Sequence, residues 1–418
     1  MNPSEVDSGT SVGSPYGSAM QVVWCSVCMI AISGLQYAWT LFVLPMSAAH
    51  QWSRADIQIG FALFISLQAW LAILYGMCVD RYRPRNMMFV GGLLVVVGWV
   101  VNSFATSLWQ LYIGEMIAGV ATGIVIAAAY GNALKRFNKR RGLAVGVVSA
   151  GYGFGAAFTF WLAEHVISSA GYQSAFLWLG IGQGTIVMCV AVVFLTDLPH
   201  AATTSTHISK VRLATSARQL WSVVKTPEFI LMYVMFTLVA AGGVMVAGQL
   251  SPIATDLGIA DKRVTLIGIT MSAILWAGML DRITNGISRP FFGWLSDIIG
   301  REITLFIAFV LEGAAVMLLV KYAHDPLLFV LLSGLVLFAW GEIFSIFPAL
   351  CTDIFGKEYA TTNYGALYTA KGTASFFVPL TSILAASGSW DVPFYLVVTF
   401  DLIAAVLALV LFTLRLRK

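Results

Sequence analysis

Apolar residues run through this chain in blocks of about 20, each closed by a short polar turn, and the rhythm recurs twelve times. A helix rises about 1.5 Å per residue, so a block of this length crosses the roughly 30 Å of hydrocarbon in a bilayer. The blocks lie near 20–46, 56–78, 86–106, 109–133, 142–167, 173–196, 228–252, 264–295, 303–322, 326–352, 360–385 and 390–414. They are rich in Leu, Val, Ala and Gly and lack the two-residue alternation of a membrane barrel strand, so they predict helices. The predicted fold is all-α and integral to the membrane, with twelve transmembrane helices.

The longest polar stretch, roughly Thr196 to Pro227, divides the blocks into two groups of six. Basic residues then set the orientation, because Lys and Arg gather in cytoplasmic loops. Arg81, Arg83, Arg85, Lys135, Arg136 and Lys139 to Arg141 fall on one side together with the linker and both termini, and only Arg54, Lys262, Arg263 and Lys321 fall on the other. The expected organisation is a cytoplasmic tail over 1–19, a six-helix half over 20–196, a cytoplasmic linker over 197–227, a second half over 228–414 and a cytoplasmic tail over 415–418. The polar start, Met1 to Ser18, carries no basic n-region and no small-residue cleavage site, so no removable signal peptide is read, and the first helix is expected to serve as the membrane signal. The cytoplasmic (inner or plasma) membrane is the expected location.

Composition agrees: 59% of the 418 residues are hydrophobic and 11% charged, outside the range of soluble domains. The net charge of +4 is a topology signal and gives no reason to invoke nucleic acid. Five cysteines sit in or at the ends of helices, and Cys25-x-x-Cys28 lies in an apolar helix without the strand pattern of a redox motif. The five histidines form no ligand cluster, and no metalloprotease, nucleophile-elbow or phosphate-loop motif is present, so neither an enzyme, a metal nor a cofactor is expected, and ATP-driven transport is disfavoured.

Two cations break the rule that charge stays at segment ends. Arg289 lies eight residues before Asp297, about 12 Å into the bilayer, and Lys371 lies about 16 Å beyond the start of its block at Ala360. A cation at that depth costs roughly 3 kcal/mol on insertion scales, so it faces a cavity, a partner or a substrate, and two of them point to an anion. Glu342 comes about 17 Å before Asp353 and shares their level. Asp281 and Asn285 fall on the Arg289 face at i, i+4, i+8 spacing.

Weak self-similarity relates the two groups. Gly76-Met-Cys-Val-Asp80-Arg81 closes the second block and Gly293-Trp-Leu-Ser-Asp297-Ile-Ile-Gly-Arg301 closes the eighth, at matching cytoplasmic turns. Repeated halves around a central site mark a secondary transporter. This pair of loops resembles the signature of the major facilitator superfamily, and the resemblance implies that Asp80, Arg81, Asp297 and Arg301 tie helix ends to the cytoplasmic loops as gating residues. Gly119-x-x-x-Gly123 and the run Gly142, Gly146, Ala150, Gly151, Gly153, Gly155 let neighbouring helices approach closely.

A narrower resemblance covers most of the chain. Asn285-Gly-Ile-Ser-Arg289-Pro290, Phe347-Pro348, Asp353-Ile-Phe-Gly356, Asn363-Tyr364-Gly365, Ala370-Lys371-Gly-Thr-Ala-Ser375, Ser33-Gly34-Leu-Gln36-Tyr37-Ala-Trp39-Thr40 and Ala150-Gly151-Tyr152-Gly153 are similar to the oxalate/formate antiporter family. The resemblance implies that Arg289 and Lys371 hold the two carboxylates of oxalate, with Gln36, Tyr37 and Trp340 in the surrounding shell. A guanidinium grips one carboxylate with two teeth while an ammonium meets the other as a point charge. A member of that family has Tyr at the positions of Ile126 and Phe344; Tyr130, one turn after Ile126, is placed to replace one hydroxyl. Asp281, Arg282 and Glu342 add charge where the dicarboxylate exchanger is neutral.

The eighth block also resembles monocarboxylate transporters, in which an acid precedes Arg-Pro by four residues; Asn285 holds that place here. Proton coupling then has to use Glu342 or Asp281. The leading expectation is a monomeric carrier that exchanges small carboxylates by alternating access around Arg289 and Lys371. A proton-coupled monocarboxylate symporter is the alternative. Asp281 paired with Arg282 or Arg289, and Glu342 paired with Lys371, as purely structural ion pairs are the bland reading. Apart from the carboxylate, only membrane lipid is expected as a partner.

Overall fold

The computed structural model of the protein describes residues 15–82, 84–136, 141–195, 220–356, 360–387 and 389–416. The first part of the predicted linker, 197–219, most of the N-terminal tail and the last two residues lie outside these residues. Helices dominate: α1 (Pro15–Tyr37), α2 (Trp39–His50), α3 (Arg54–Trp70), α4 (Ala72–Tyr82), α5 (Pro84–Ser103), α6 (Leu108–Arg136) and α7 (Arg141–Cys189) precede the linker. After it come α8 (Pro227–Asp256), α9 (Ala273–Ile299), α10 (Arg301–Tyr322), α11 (Pro326–Trp340), α12 (Ile343–Phe355), α13 (Ala360–Ala374), α14 (Phe377–Leu384) and α15 (Asp391–Leu416). Among the described residues, eight helical stretches are long and apolar enough to cross a membrane by length and composition.

Local chemistry fixes several boundaries. The Ser53, Thr226 and Asp325 side chains accept hydrogen bonds from the backbone N–H three residues on, and Pro227 and Pro326 follow in the first turn where no N–H is needed. Gly171, at φ 84° and ψ 163°, breaks the helical path within α7, so the residues before it form the predicted block 142–167 and those after it begin the predicted block 173–196. The eighth block is shorter than predicted. Arg263–Leu266 (β1) and Ile269–Ser272 (β2) pair antiparallel around Gly268, at φ 80°, and α9 starts only at Ala273.

Polarity is inverted relative to a soluble domain. Trp109, Trp178, Phe158 and Ile383 are each at least 60% exposed, while Arg282, Asp281, Glu312, Glu342 and Asp401 are fully buried. Large apolar side chains that face outward suit a lipid environment, and charge is kept for the interior. Helices from before and after the linker meet along that interior: α9 packs on α7, α13 and α14 on α3, and α2 on α8. Glycine permits the closest of these approaches. A Cβ on Gly153 of α7 would stand 2.9 Å from the Gly286 Cα of α9.

Candidate functional site

Arg289 projects from the middle of α9 and Lys371 from α13, and the ring of Phe344 on α12 lies under both. The guanidinium carbon is 4.7 Å and the ammonium 5.6 Å from its centroid. Both cations are buried, at 6% and 2% exposure. Arg289 donates to the Ser149 hydroxyl and carbonyl on α7 and to Asn285 Oδ1 at 3.1 Å, and its Nε has no partner. Asn285 in turn donates to the Leu337 carbonyl at 3.2 Å, which holds its oxygen toward the guanidinium.

Lys371 donates to Gln68 Oε1 at 2.8 Å, to Gln36 Oε1 at 3.1 Å and to the Tyr368 hydroxyl at 3.4 Å. The Tyr152 hydroxyl accepts from Gln68 and donates to Gln36, so α1, α3, α7 and α13 share one polar network around the ammonium. Tyr37 lies against Tyr152 at 5.6 Å and within electrostatic reach of Arg289 and Tyr130. Tyr130 is likewise an electrostatic neighbour of Tyr364 and Tyr368. Trp340 meets Phe344 edge-on at 5.2 Å and donates to the Val239 carbonyl.

The structure thus brings Arg289, Lys371, Gln36, Tyr37, Trp340, Tyr130, Phe344 and Asn285 together. Sequence reasoning passed over Ser149 and Gln68; their only signal was a polar side chain inside an apolar block. The acidic residues lie elsewhere. Glu342 occupies the break between α11 and α12, and its electrostatic neighbours are Asp401 on α15 and Glu312 on α10. Beyond the backbone N–H groups of Glu342 itself and Ile343, these three buried carboxyl groups find no hydrogen-bond donor. Depth along the chain had put Glu342 beside the cations, but its azimuth turns it toward α10 and α15. Asp281, fully buried, has Arg282 as its charge partner without a hydrogen bond to it, and faces Ser333 on α11 as well. Among the described residues no ion pair joins Asp281 to Arg289 or Glu342 to Lys371, whereas Asp281 and Arg282 remain electrostatic neighbours.

At one end of the bundle Arg301 pairs with Asp297 at 2.6 Å and with Asp353 at 3.3 Å, joining α9, α10 and α12. The Asp80 and Arg81 side chains lie outside the described residues. At the opposite end Arg54 grips Asp256 through both guanidinium nitrogens, Trp390 donates to the same carboxylate, and the Ser251 N–H donates to Thr40 at 2.8 Å. Gln58 adds bonds to the Gly248 carbonyl and to Gln249. Among the described residues no His/Cys/Asp/Glu group has the geometry to hold a metal ion. What the site offers is a pair of dry cations, an aromatic floor and neutral hydrogen-bonding side chains, which suits capture of a small carboxylate.

The Major Facilitator Superfamily profile matches residues 26–284 and 267–418. The chain is 30% identical to the oxalate:formate antiporter of Oxalobacter formigenes over 404 residues, 96% of this chain and 93% of that protein. It is 27% identical to the human monocarboxylate transporter 11 over 293 residues, 68% of this chain and 58% of that protein. A crystal structure of a POT family transporter in complex with 5-aminolevulinic acid superimposes with a TM-score of 0.72 over 96% of both chains at 11% identity.

Proposed function

The chain belongs to the Major Facilitator Superfamily, and within it to the family of the oxalate:formate antiporter; from that premise we propose that this transporter exchanges small carboxylate anions across the cytoplasmic membrane by alternating access around Arg289 and Lys371. The observation that carries the reading is the placement of both cations over the Phe344 ring, with hydrogen bonds to neutral groups only. Two uncompensated charges in a low-dielectric interior repel each other and attract an anion strongly. The bound carboxylate takes the free Arg289 Nε and competes with Gln36 and Gln68 for the ammonium. Those glutamines stand on helices before the linker and Lys371 after it, so binding changes what holds the two groups together at the cavity.

Exchange is a consequence of charge. An empty carrier has to move two desolvated cations past one another, whereas a loaded one carries them neutralised. In the proposed cycle, Arg301 with Asp297 and Asp353 stabilises the cytoplasmic end, and Arg54 with Asp256 and Trp390 closes the external end. Asp80 and Arg81 would act with the cytoplasmic cluster. In this reading both termini lie in the cytoplasm, as the distribution of basic residues supports, and the carrier works as a single chain.

A second reading is favoured by a separate observation. The Glu312, Glu342 and Asp401 carboxyl groups are buried as neighbours, and among the described residues no cation is hydrogen-bonded to them; a cluster of buried acids is the kind of site that carries protons in transporters. A proton carried there would make the protein a carboxylate–proton symporter. Liposomes loaded with oxalate, and empty ones beside them, separate the readings through uptake of labelled oxalate. Uptake that requires internal anion supports exchange; uptake into empty liposomes driven by an acid exterior supports symport; the absence of either with oxalate, formate and a monocarboxylate panel rejects the substrate class.

A further inference from the structure

Arg282 stands seven residues before Arg289 on α9, about two turns along the same helix, and takes no part in the site as described so far. It is fully buried. Its guanidinium carbon lies over the Tyr37 ring, 4.4 Å from the centroid, and Nε, Nη1 and Nη2 all lack a hydrogen-bond partner. Arginine carries five N–H donors and stays charged, so leaving them unmet in a dry interior is expensive unless something else arrives to accept them.

Asp281 does not fill that role. Consecutive helical residues point about 100° apart; Asp281 is the opposite charge acting on Arg282 and also faces Ser333 on α11, but no Asp281 oxygen accepts a hydrogen bond from the guanidinium. The contact with the Tyr37 ring satisfies none of the guanidinium's donors. The same tyrosine is an electrostatic neighbour of Arg289, so one residue of α1 links the two arginines of α9. Arg289 and Lys371, both over Phe344, form one compact positive pole; Arg282, beyond Tyr37, forms another.

We propose that Arg282 receives the distal carboxylate of a dicarboxylate longer than oxalate, of the succinate class, whose first carboxylate sits on Arg289 and Lys371. The proposal rests on the carboxylate-carrier reading and narrows it. The carboxylates of oxalate are joined directly, and such a dianion is short enough to be held by the first pole alone. A short carbon spacer lets the second carboxylate reach the unmet donors of Arg282 while the methylenes lie along Tyr37. Formate has nothing to offer that position.

The test uses the full chain, wild type and with R282Q, R282K and D281N/R282Q, in two assays. One is the rise in Tm on adding formate, oxalate, malonate or succinate; the other is competition by the same acids against labelled-oxalate exchange in liposomes. The expected result is that succinate competes in the wild type, that R282Q raises the ratio of the succinate to the formate inhibition constant by about tenfold or more, and that R282K recovers part of that ratio. A merely structural Arg282 lowers the unliganded Tm and weakens every acid alike, and that pattern overturns the proposal. So does recovery of wild-type selectivity in D281N/R282Q, which would make Arg282 a counter-charge for Asp281, and so does failure of succinate to compete in a wild type that exchanges oxalate. A wild type whose Tm no acid of the set raises and which exchanges none overturns the carboxylate reading itself.

Discussion

Lys371 and Gln36, 335 residues apart in the chain, are joined by a 3.1 Å hydrogen bond in which the ammonium donates to the amide oxygen. Gln68 accepts from the same ammonium. A desolvated cation is thus held by neutral oxygens alone, the arrangement a carrier needs if a substrate carboxylate is to displace its ligands and leave again. A fixed carboxylate in their place would neutralise the ammonium permanently.

Removing either cation tests that argument. Arg289→Gln or Lys371→Gln deletes a charge-assisted contact worth about 1.5–3 kcal/mol, so exchange at subsaturating oxalate is expected to fall about tenfold to a hundredfold in each. Arg289→Lys is expected to remain impaired, because an ammonium cannot reproduce a two-toothed grip. Initial rates of labelled-oxalate exchange, with unchanged size-exclusion profiles, measure the effect.

Proton dependence separates the two modes. For exchange through Arg289 and Lys371, a pH gradient is expected to leave the rate level, and Glu342→Gln to retain exchange, since Glu342 faces Glu312 and Asp401 instead of the cations. For symport of one proton, an exterior one pH unit more acid drives about tenfold accumulation, uptake rises as external pH falls, and Glu342→Gln flattens that slope. Uptake at several external pH values decides which occurs.

The Arg54–Asp256 pair joins α3 to α8 at the end of the bundle opposite Arg301, and its side chains are partly solvent-exposed. A pair of this kind contributes up to about 1 kcal/mol, so Asp256→Asn is expected to shift the balance toward opening at that end by about twofold to fivefold. A cysteine at Ser251, in a background without the native cysteines, should label faster with a water-soluble maleimide by that factor. An unchanged labelling rate would show that the pair does not hold this end shut.

Gly243 leaves no room for a side chain, since a Cβ there would stand 2.2 Å from the Trp340 indole. Gly243→Ala forces the indole to move off Phe344, at a cost of about 1–3 kcal/mol typical of overpacking. A lower Tm and a raised KM for oxalate are expected together, because Phe344 is the floor under both cations. A lower Tm with KM unchanged would separate Trp340 from binding.

Block length and the mid-block cations made the bundle and the core of the site legible in the sequence. What remained hidden was angular. Counting residues assigned Glu342 a depth and no direction; the break after Trp340 sets which way it turns, and hydropathy carries no information about that. Gln68 and Ser149 looked like single polar residues among apolar ones; only the contacts of α3 with α13 and of α7 with α9 give them a purpose. The β1–β2 hairpin escaped for a different reason. Val264, Leu266, Ile269 and Met271 are apolar enough to extend a hydrophobic window, although they alternate with polar residues and turn at Gly268.

Four of the long segments are discontinuous midway: α1 and α2 part at Ala38, α3 and α4 at Leu71, α11 and α12 at Gly341 and Glu342, and α13 and α14 at Ser375 and Phe376. A continuous helix is a stiff rod, so tilting one end would swing the other through the same angle. Jointed near the cavity, each segment can pivot on one side while its distal portion keeps its packing. The joints stand within a few residues of Gln36, Gln68, Phe344 and Lys371, so the side chains that surround the two cations sit where these segments are able to bend.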